Sequence, residues 1–401
     1  MCRSGDLSLV LDLGSTPLAN AFVSPERAAE PEQRFALETL RCARCGLLQL
    51  SVVVRPDILF RHYLYASSAS APLLEHFAGL AQEVRDRFAR AGSVVVEFGS
   101  NDGVLLRALR DRGLRPLGVE PATNLASVAN ATGLETWNEF FGPDVAQRIA
   151  ADRGRAAVVL ANNVLAHIDD VRAIAAALDA LLETDGVFVA EVPYLGDLIA
   201  HVEYDTIYHE HLSYFAVHPL TELFASAGLE LFDVRRIPIH GGSIRMFVGR
   251  AARRPRSADL ERLLEDEART GLLDASTYAD FATQVARSRD ALREMLGRLR
   301  SERRRVAALG ATAKGNTLLN YCGIGTELVE FVADTTPFKQ GLLTPGMHIP
   351  VRPEGALLEE RPDYAVMLAW NYADAIVRKH APYLSAGGHF IHPIPTARVY
   401  A

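Results

Sequence analysis

Val94-Val95-Val96-Glu97-Phe98-Gly99-Ser100-Asn101-Asp102-Gly103 runs directly into Val-Leu-Leu-Arg-Ala-Leu. The apolar, β-branched run predicts a buried strand. It stops at one glycine, crosses a short polar loop to a second, and enters a helical pattern. That order predicts the first βα turn of a doubly wound fold, where ligands bind beyond the carboxyl ends of the strands.

Outward from this turn the alternation continues. Arg115–Glu120 reads as a strand ended by Pro121, and Ala156–Ala161 as another, leading into Asn162-Asn163-Val-Leu-Ala-His167. Asp169-Asp170 caps a helix through about Leu182, and Gly186–Glu191 is a fourth strand. A helix from Ala71 precedes the whole unit. Short connections between such elements predict a parallel sheet with helices on both faces over residues 71–255. Residues 256–305 are helical and charged, the pattern of a solvated connector. A second βα turn, Val306-Ala-Ala-Leu-Gly310-Ala-Thr-Ala-Lys314-Gly315-Asn316-Thr317, opens a smaller α/β unit over 306–401, with strands expected at 328–334 and 364–370. Residues 1–70 are short-stranded and turn-rich. The fold class is α/β, with two doubly wound units and a small amino-terminal module.

At 401 residues, two or three domains are expected, and 49% hydrophobic with 23% charged residues is a globular composition. The net charge of −7 argues against nucleic acid or an anionic membrane as partner. No run has the length of a membrane span and the amino terminus does not read as a signal peptide, so a cytoplasmic location is expected. A monomer or weak homodimer is expected as well.

Three ligands compete for the Gly99–Gly103 loop. A dinucleotide fingerprint needs a middle glycine, and Asn101 stands there. A phosphate-binding loop needs Gly-Lys-Ser/Thr, which is absent. A phosphate-free adenosyl ligand, S-adenosylmethionine, fits the two glycines. Glu97 can answer its ammonium, Glu120 can accept both ribose hydroxyls, and Asn101, Asp102 and Asn162 complete the candidate set.

Cys42-Ala-Arg-Cys45-Gly-Leu is a Cys-x-x-Cys knuckle, and Cys2 is the remaining cysteine of this module. Zinc ribbons pair two knuckles because four thiolates complete a tetrahedron. The second knuckle is incomplete here. The fourth ligand is expected from water, a nearby side chain, or sequence upstream of Met1.

The densest reactive stretch is Glu203-Tyr204-Asp205-Thr206-Ile207-Tyr208-His209-Glu210-His211-Leu-Ser-Tyr214. His-Glu-x-x-His spacing is absent, so proton chemistry is favoured over a catalytic metal. His167 is expected in the same region. His209 reads as a packing or solvated histidine. Tyr63 and Tyr65, two apart on an extended segment, present hydroxyls to one side. His240-Gly-Gly-Ser243-Ile-Arg245 offers a cation and hydroxyl suited to a sugar or phosphate.

With these motifs in hand, the chain resembles the S-adenosylmethionine-dependent sugar C-methyltransferases of deoxysugar pathways, nearly end to end. The resemblance rests on Leu11-Asp-Leu-Gly-Ser-Thr-Pro-Leu-Ala-Asn20, the cysteine knuckle, Tyr63-x-Tyr65, Glu97–Gly103, Ala161–His167, Glu191-Val-Pro-Tyr, and above all Ile-Tyr208-His-Glu210-His211-Leu-Ser-Tyr-Phe. The Gly-Ala-Thr-Ala-Lys-Gly-Asn-Thr turn and Lys339-Gln-Gly…Pro345-Gly match as well. It implies a class I, Rossmann-like methyltransferase domain, an amino-terminal zinc module (Cys2, Cys42, Cys45) and a carboxyl-terminal Rossmann-like domain. It also implies methylation at C3 of a nucleotide-linked 4-keto-6-deoxysugar through an enolate. His211 resembles the base, with Glu210 and Tyr208 supporting it at the 4-keto oxygen. His167 and Tyr63 or Tyr65 resemble further active-site groups. Lys314, Asn316, His240, Ser243 and Arg245 become candidates for the nucleotide-sugar substrate. Methylation of another enolisable carbonyl or of a sugar hydroxyl is an alternative, as is a non-catalytic zinc-ribbon protein on the same scaffold.

Overall fold

All five residues of Val94–Phe98 are buried, because the strand lies inside a seven-stranded sheet flanked on both sides. The structure is a computed structural model that describes residues 1–400 except His62, Leu64, Tyr65, Ser70 and His240. Tyr65 and His240, both expected site residues, therefore lie outside the described residues.

The central sheet runs Leu229–Ile237, Ser243–Arg250, Leu182–Pro193, Ala156–Asn162, Val94–Phe98, Arg115–Val119, Thr136–Trp137. Its five inner and far strands pair in parallel, as the alternation predicts. The other edge differs: Leu229–Ile237 and Ser243–Arg250 form an antiparallel hairpin laid against Leu182–Pro193. Register brings Glu97 level with Leu160 and Asn162 level with Glu191, so three of the polar strand ends open at one rim. The helix Ala71–Arg87 covers one face through Leu73, Phe77, Leu80 and Val84, an i, i+4, i+7 stripe.

The second α/β unit is a six-stranded sheet ordered Val351–Pro353, Val332–Asp334, Val306–Leu309, Tyr364–Met367, His389–His392, Arg398–Tyr400. Two strands are shorter than the sequence suggests. Residues 328–331 are not strand, although Val329 and Phe331 are fully buried, so apolarity there reflects core packing rather than pairing. The chain leaves the sheet after Met367, and Trp370 begins a 3-10 turn.

The amino-terminal module pairs Leu7–Thr16, Phe35–Cys42 and Leu48–Leu50 in an antiparallel sheet. Its fourth strand, Ser213–Tyr214, comes from the central unit, with Leu48 opposite Tyr214. The module is thus sewn onto the segment that carries the reactive residues. Helices Ala258–Arg269 and Ala275–Ser301 connect the two α/β units, the first capped by the Ser257 hydroxyl accepting from Leu260 N–H. No helix among the described residues is long and apolar enough to cross a membrane.

Candidate active site and cofactor cradle

The turn after Val94–Phe98 is shaped by its two glycines. Gly99 has φ +66°, and a Cβ on it would lie 2.2 Å from Val164 Cγ2. Gly103 has φ +83° and begins the helix Val104–Arg110. Between them Asn101 is also left-handed, at φ +51°, a conformation that asparagine tolerates better than most residues. Its Oδ1 accepts from Ser67 N–H at 2.9 Å and from Asp102 N–H at 3.0 Å. The contact with Val164 sets this loop beside the segment that leads to His167.

Four carboxylates gather at this rim. Glu120 accepts from the backbone N–H groups of Asn101 and Ala122, each at 2.8 Å. Glu97 is 3% exposed, and among the described residues its side-chain hydrogen-bond contact is Asn162 Nδ2 at 3.5 Å. Burial drives its pKa well above the ordinary carboxylate range, and the charges of Glu120, Asp102 and Glu191 add to that. Burial raises Glu120 too. Glu97 Oε2 and Asp102 Oδ1 are buried without a hydrogen-bond partner among the described residues. Glu191 forms an ion pair with Arg245 at 2.6 Å, and His76 Nε2 lies 2.8 Å from it. Among the described residues, no lysine, arginine or histidine pairs with Glu97, Asp102 or Glu120. Orphaned acceptors and surplus negative charge fit a cationic ligand, and S-adenosylmethionine carries both an ammonium and a sulfonium.

The second cluster stands at the carboxyl end of Ala156–Asn162. Leu212 N–H bonds the Ala166 carbonyl at 2.7 Å, tying the 204–215 segment to His167. Tyr208 and His211, three apart, face each other with hydroxyl and Nε2 2.9 Å apart and ring centroids 4.2 Å apart. His211 Nδ1 lies 2.9 Å from the Thr206 carbonyl. A carbonyl only accepts, so Nδ1 carries the hydrogen and Nε2 is the basic nitrogen, facing Tyr208. His167 stacks between His211 (5.2 Å) and Phe60 (5.2 Å). That packing pushes its pKa down to about 4, which keeps the imidazole neutral. Burial raises the Tyr208 hydroxyl far above its usual range, with Glu210 as the next cause, so it is a donor rather than a phenolate.

Glu210 turns away from this pair. Its Oε1 accepts from Asn20 Nδ2 at 2.6 Å and its Oε2 from the Tyr63 hydroxyl at 3.1 Å. The structure therefore joins Tyr208 to His211 and Glu210 to Tyr63, rather than forming one Tyr208–Glu210 pair. His209 is 1% exposed and sits on the Ala36 carbonyl and the Phe35 ring, a packing role.

The residues expected to meet a nucleotide sugar have protein partners. Arg245 is 8% exposed and binds Glu83 at 2.6 Å as well as Glu191. It also lines a cavity of about 550 Å³ with Leu73, His76, Ile239 and Tyr372. The Ser243 hydroxyl donates to the Ile239 carbonyl at 2.9 Å. Lys314 lies 3.9 Å from Glu203 and 5.2 Å from the Trp370 ring; burial raises the Asp205 carboxyl, and the Lys314 charge opposes that rise. Asn316 donates to the Ala19 carbonyl at 2.7 Å. These differ from the expected open cations and donors because Arg245, Lys314 and Asn316 met an acidic or carbonyl partner from another segment, and Ser243 met one four residues before it, which residue type alone does not reveal.

In the amino-terminal module, the ligand atoms of Cys2, Cys42 and Cys45 lie within 4.8 Å of one another. Gly46, at φ +72°, folds the knuckle back so that its N–H meets the Cys42 carbonyl at 3.0 Å. Three soft thiols at this spacing fit tetrahedral zinc with one position left for another ligand. Asn20 and Lys339 were not singled out by the sequence pattern as functional residues, although both fall inside matching motifs.

Comparison with known proteins finds three family models along the chain. Residues 1–60 match a zinc binding domain family, 73–234 a methyltransferase domain family, and 238–395 the C-methyltransferase C-terminal domain. The C-methyltransferase NovU of Streptomyces niveus is 40% identical over 404 residues, covering 100% of this chain and 96% of that protein. Among solved structures, the CcbJ methyltransferase of Streptomyces caelestis aligns at 17% identity over 44% of this chain and 90% of its own, TM-score 0.35. The magnesium protoporphyrin IX methyltransferase of Synechocystis aligns at 10% identity over 45% of this chain and 79% of its own, TM-score 0.34.

Proposed function

Since the chain belongs to the C-methyltransferase family, we propose that it methylates C3 of a nucleotide-linked 4-keto-6-deoxysugar through an enolate. The observation that carries the reading is the Tyr208–His211 pair, a hydroxyl donor and a basic imidazole nitrogen 2.9 Å apart. Carbon beside a ketone becomes nucleophilic only as an enolate. A base and an oxyanion donor held together lower that barrier.

His211 Nε2 takes the C3 proton, while its Nδ1–H stays on the Thr206 carbonyl and steadies the imidazolium. The Tyr208 hydroxyl turns from Nε2 to the 4-keto oxygen and donates to it as negative charge develops there. His167, kept neutral by burial, stacks on His211 and fixes the plane of its ring. Glu210 accepts from the Tyr63 hydroxyl and orients it. S-adenosylmethionine, held by Glu97, Asp102, Glu120 and the Gly99–Gly103 loop, supplies an electrophilic methyl group. Zinc at Cys2, Cys42 and Cys45 is structural and contributes folding energy rather than chemistry.

The test needs no methyl donor. A nucleotide-linked 4-keto-6-deoxysugar incubated with the protein in D2O should exchange its C3 hydrogen, and His211→Ala should lose most of that exchange. Exchange at an unchanged rate in the variant would remove His211 as the base.

A further inference from the structure

The turn that carries Asn20 belongs to the amino-terminal module, yet its side chain ends on a carboxylate of the reactive segment, 190 residues away in sequence and 2.6 Å away in space. We infer that Asn20 is a positioning residue of the active site, which fixes the Glu210 carboxyl in one orientation and favours its charged form. The inference rests on the functional reading above and extends it to the amino-terminal module.

Three observations support it. Glu210 is 3% exposed, and burial alone raises its pKa; Asn20, then Tyr63, then the Lys339 charge oppose that rise. Asn20 meets Oε1 and Tyr63 meets Oε2, so both oxygens act as acceptors. Two donors on one carboxyl favour its charged form against the rise that burial imposes. The Asn20 turn is itself clamped from the carboxyl-terminal unit on both sides. Asn316 donates to the Ala19 carbonyl at 2.7 Å. Val23 and Leu343 exchange backbone hydrogen bonds of 3.0 and 2.8 Å. Lys339 lies 5.2 Å from the Phe22 ring and feels both Glu210 and Asp334. The titratable groups facing Glu210 are thus Tyr63, Lys339 and Tyr208, whose hydroxyl feels the Glu210 charge. All three domains converge on this carboxylate, and Asn20 is the donor with the shortest contact.

The opposite arrangement is chemically distinct. With the Asn20 amide reversed, its oxygen would accept a proton from a neutral Glu210, and removing Asn20 would then make Glu210 more acidic. The two cases predict opposite signs.

The experiment compares wild type with Asn20→Ala and the isosteric Asn20→Asp, which keeps the volume and removes the donor. The ¹³C-carboxyl signal of Glu210, assigned through Glu210→Gln, is titrated in each protein. C3 hydrogen exchange in D2O is followed against pH. The expected result is a Glu210 titration moved up by about one pH unit in Asn20→Ala and further in Asn20→Asp. The acid limb of the exchange profile should move with it, so the rate below that limb falls about tenfold and recovers at high pH. Affinity for S-adenosylmethionine should not change. A titration that is unmoved or moved down overturns the inference, as does a loss of exchange that is uniform across pH. If wild type shows no exchange with the sugar, the functional reading fails, and the carboxyl titration still decides the role of Asn20.

Discussion

Glu97 should make the ligand-free protein less stable than it could be, and binding should depend on that instability. Its carboxylate is 3% exposed; among the described residues its Oε2 has no partner and its Oε1 has a long contact to Asn162. Leaving a buried polar atom unsatisfied costs about 1–3 kcal/mol. The pKa is raised in the folded state, so stability is full below the unfolded carboxylate range and is lost as pH rises through the folded pKa. Glu97→Gln keeps the shape and removes the charge. At pH 8 it should stabilise the ligand-free protein by about 1–2 kcal/mol, raising Tm by about 2–8 °C for a unit of this size. The difference should shrink at pH 5. A saturating ligand at 100 times its Kd stabilises by about 2.7 kcal/mol. If the lost charge pairing weakens S-adenosylmethionine by about 2 kcal/mol, roughly 30-fold, the same ligand concentration stabilises the variant by only about 0.9 kcal/mol. Thermal unfolding with and without S-adenosylmethionine reads both effects. A variant that is less stable without ligand, and as strongly stabilised by it as wild type, would refute the reasoning.

Two further outcomes follow from the same geometry. Gly99→Ala places a Cβ 2.2 Å from Val164 Cγ2 in a left-handed backbone; the backbone term alone costs about 1–2 kcal/mol, and calorimetry should find S-adenosylmethionine binding lost, with native affinity counting against the loop as the cradle. Lys314→Met should destabilise the protein by about 1–3 kcal/mol, since burial raises Glu203 and Asp205 and Lys314 is the first group opposing it. Both folded-state pKa values rise further without the lysine, so the loss in Tm should be larger at pH 8 than at pH 5, and a pH-independent loss would argue against charge pairing.

What could be read in advance follows from how local each signal is. Tyr208 and His211 are three residues apart, and their facing rings needed only that short segment to fold as it does. The strand, two glycines and helix at 94–110 are likewise one local unit. Asn101 shows the limit of a fingerprint: it stands where a dinucleotide loop has glycine, yet it takes the left-handed backbone and caps the loop with its own side chain. The expected phosphate contacts fared differently. Charge alone marks Arg245 and Lys314, and in a chain with 42 basic and 49 acidic residues a buried cation meets carboxylates of its own protein. Glu191 lies opposite Arg245 across two strands, a pairing fixed by register that spacing along the chain does not carry. Glu210 is the sharper case. Its type and place in the reactive segment were legible, but its partners Asn20 and Tyr63 lie 190 and 147 residues away. Those contacts exist because Ser213–Tyr214 completes the sheet of the amino-terminal module, which brings Asn20 over the segment. The same pairing ties the amino-terminal module to the reactive segment: without it, the buried Glu210 carboxyl would lose the Asn20 donor, and its pKa would rise further.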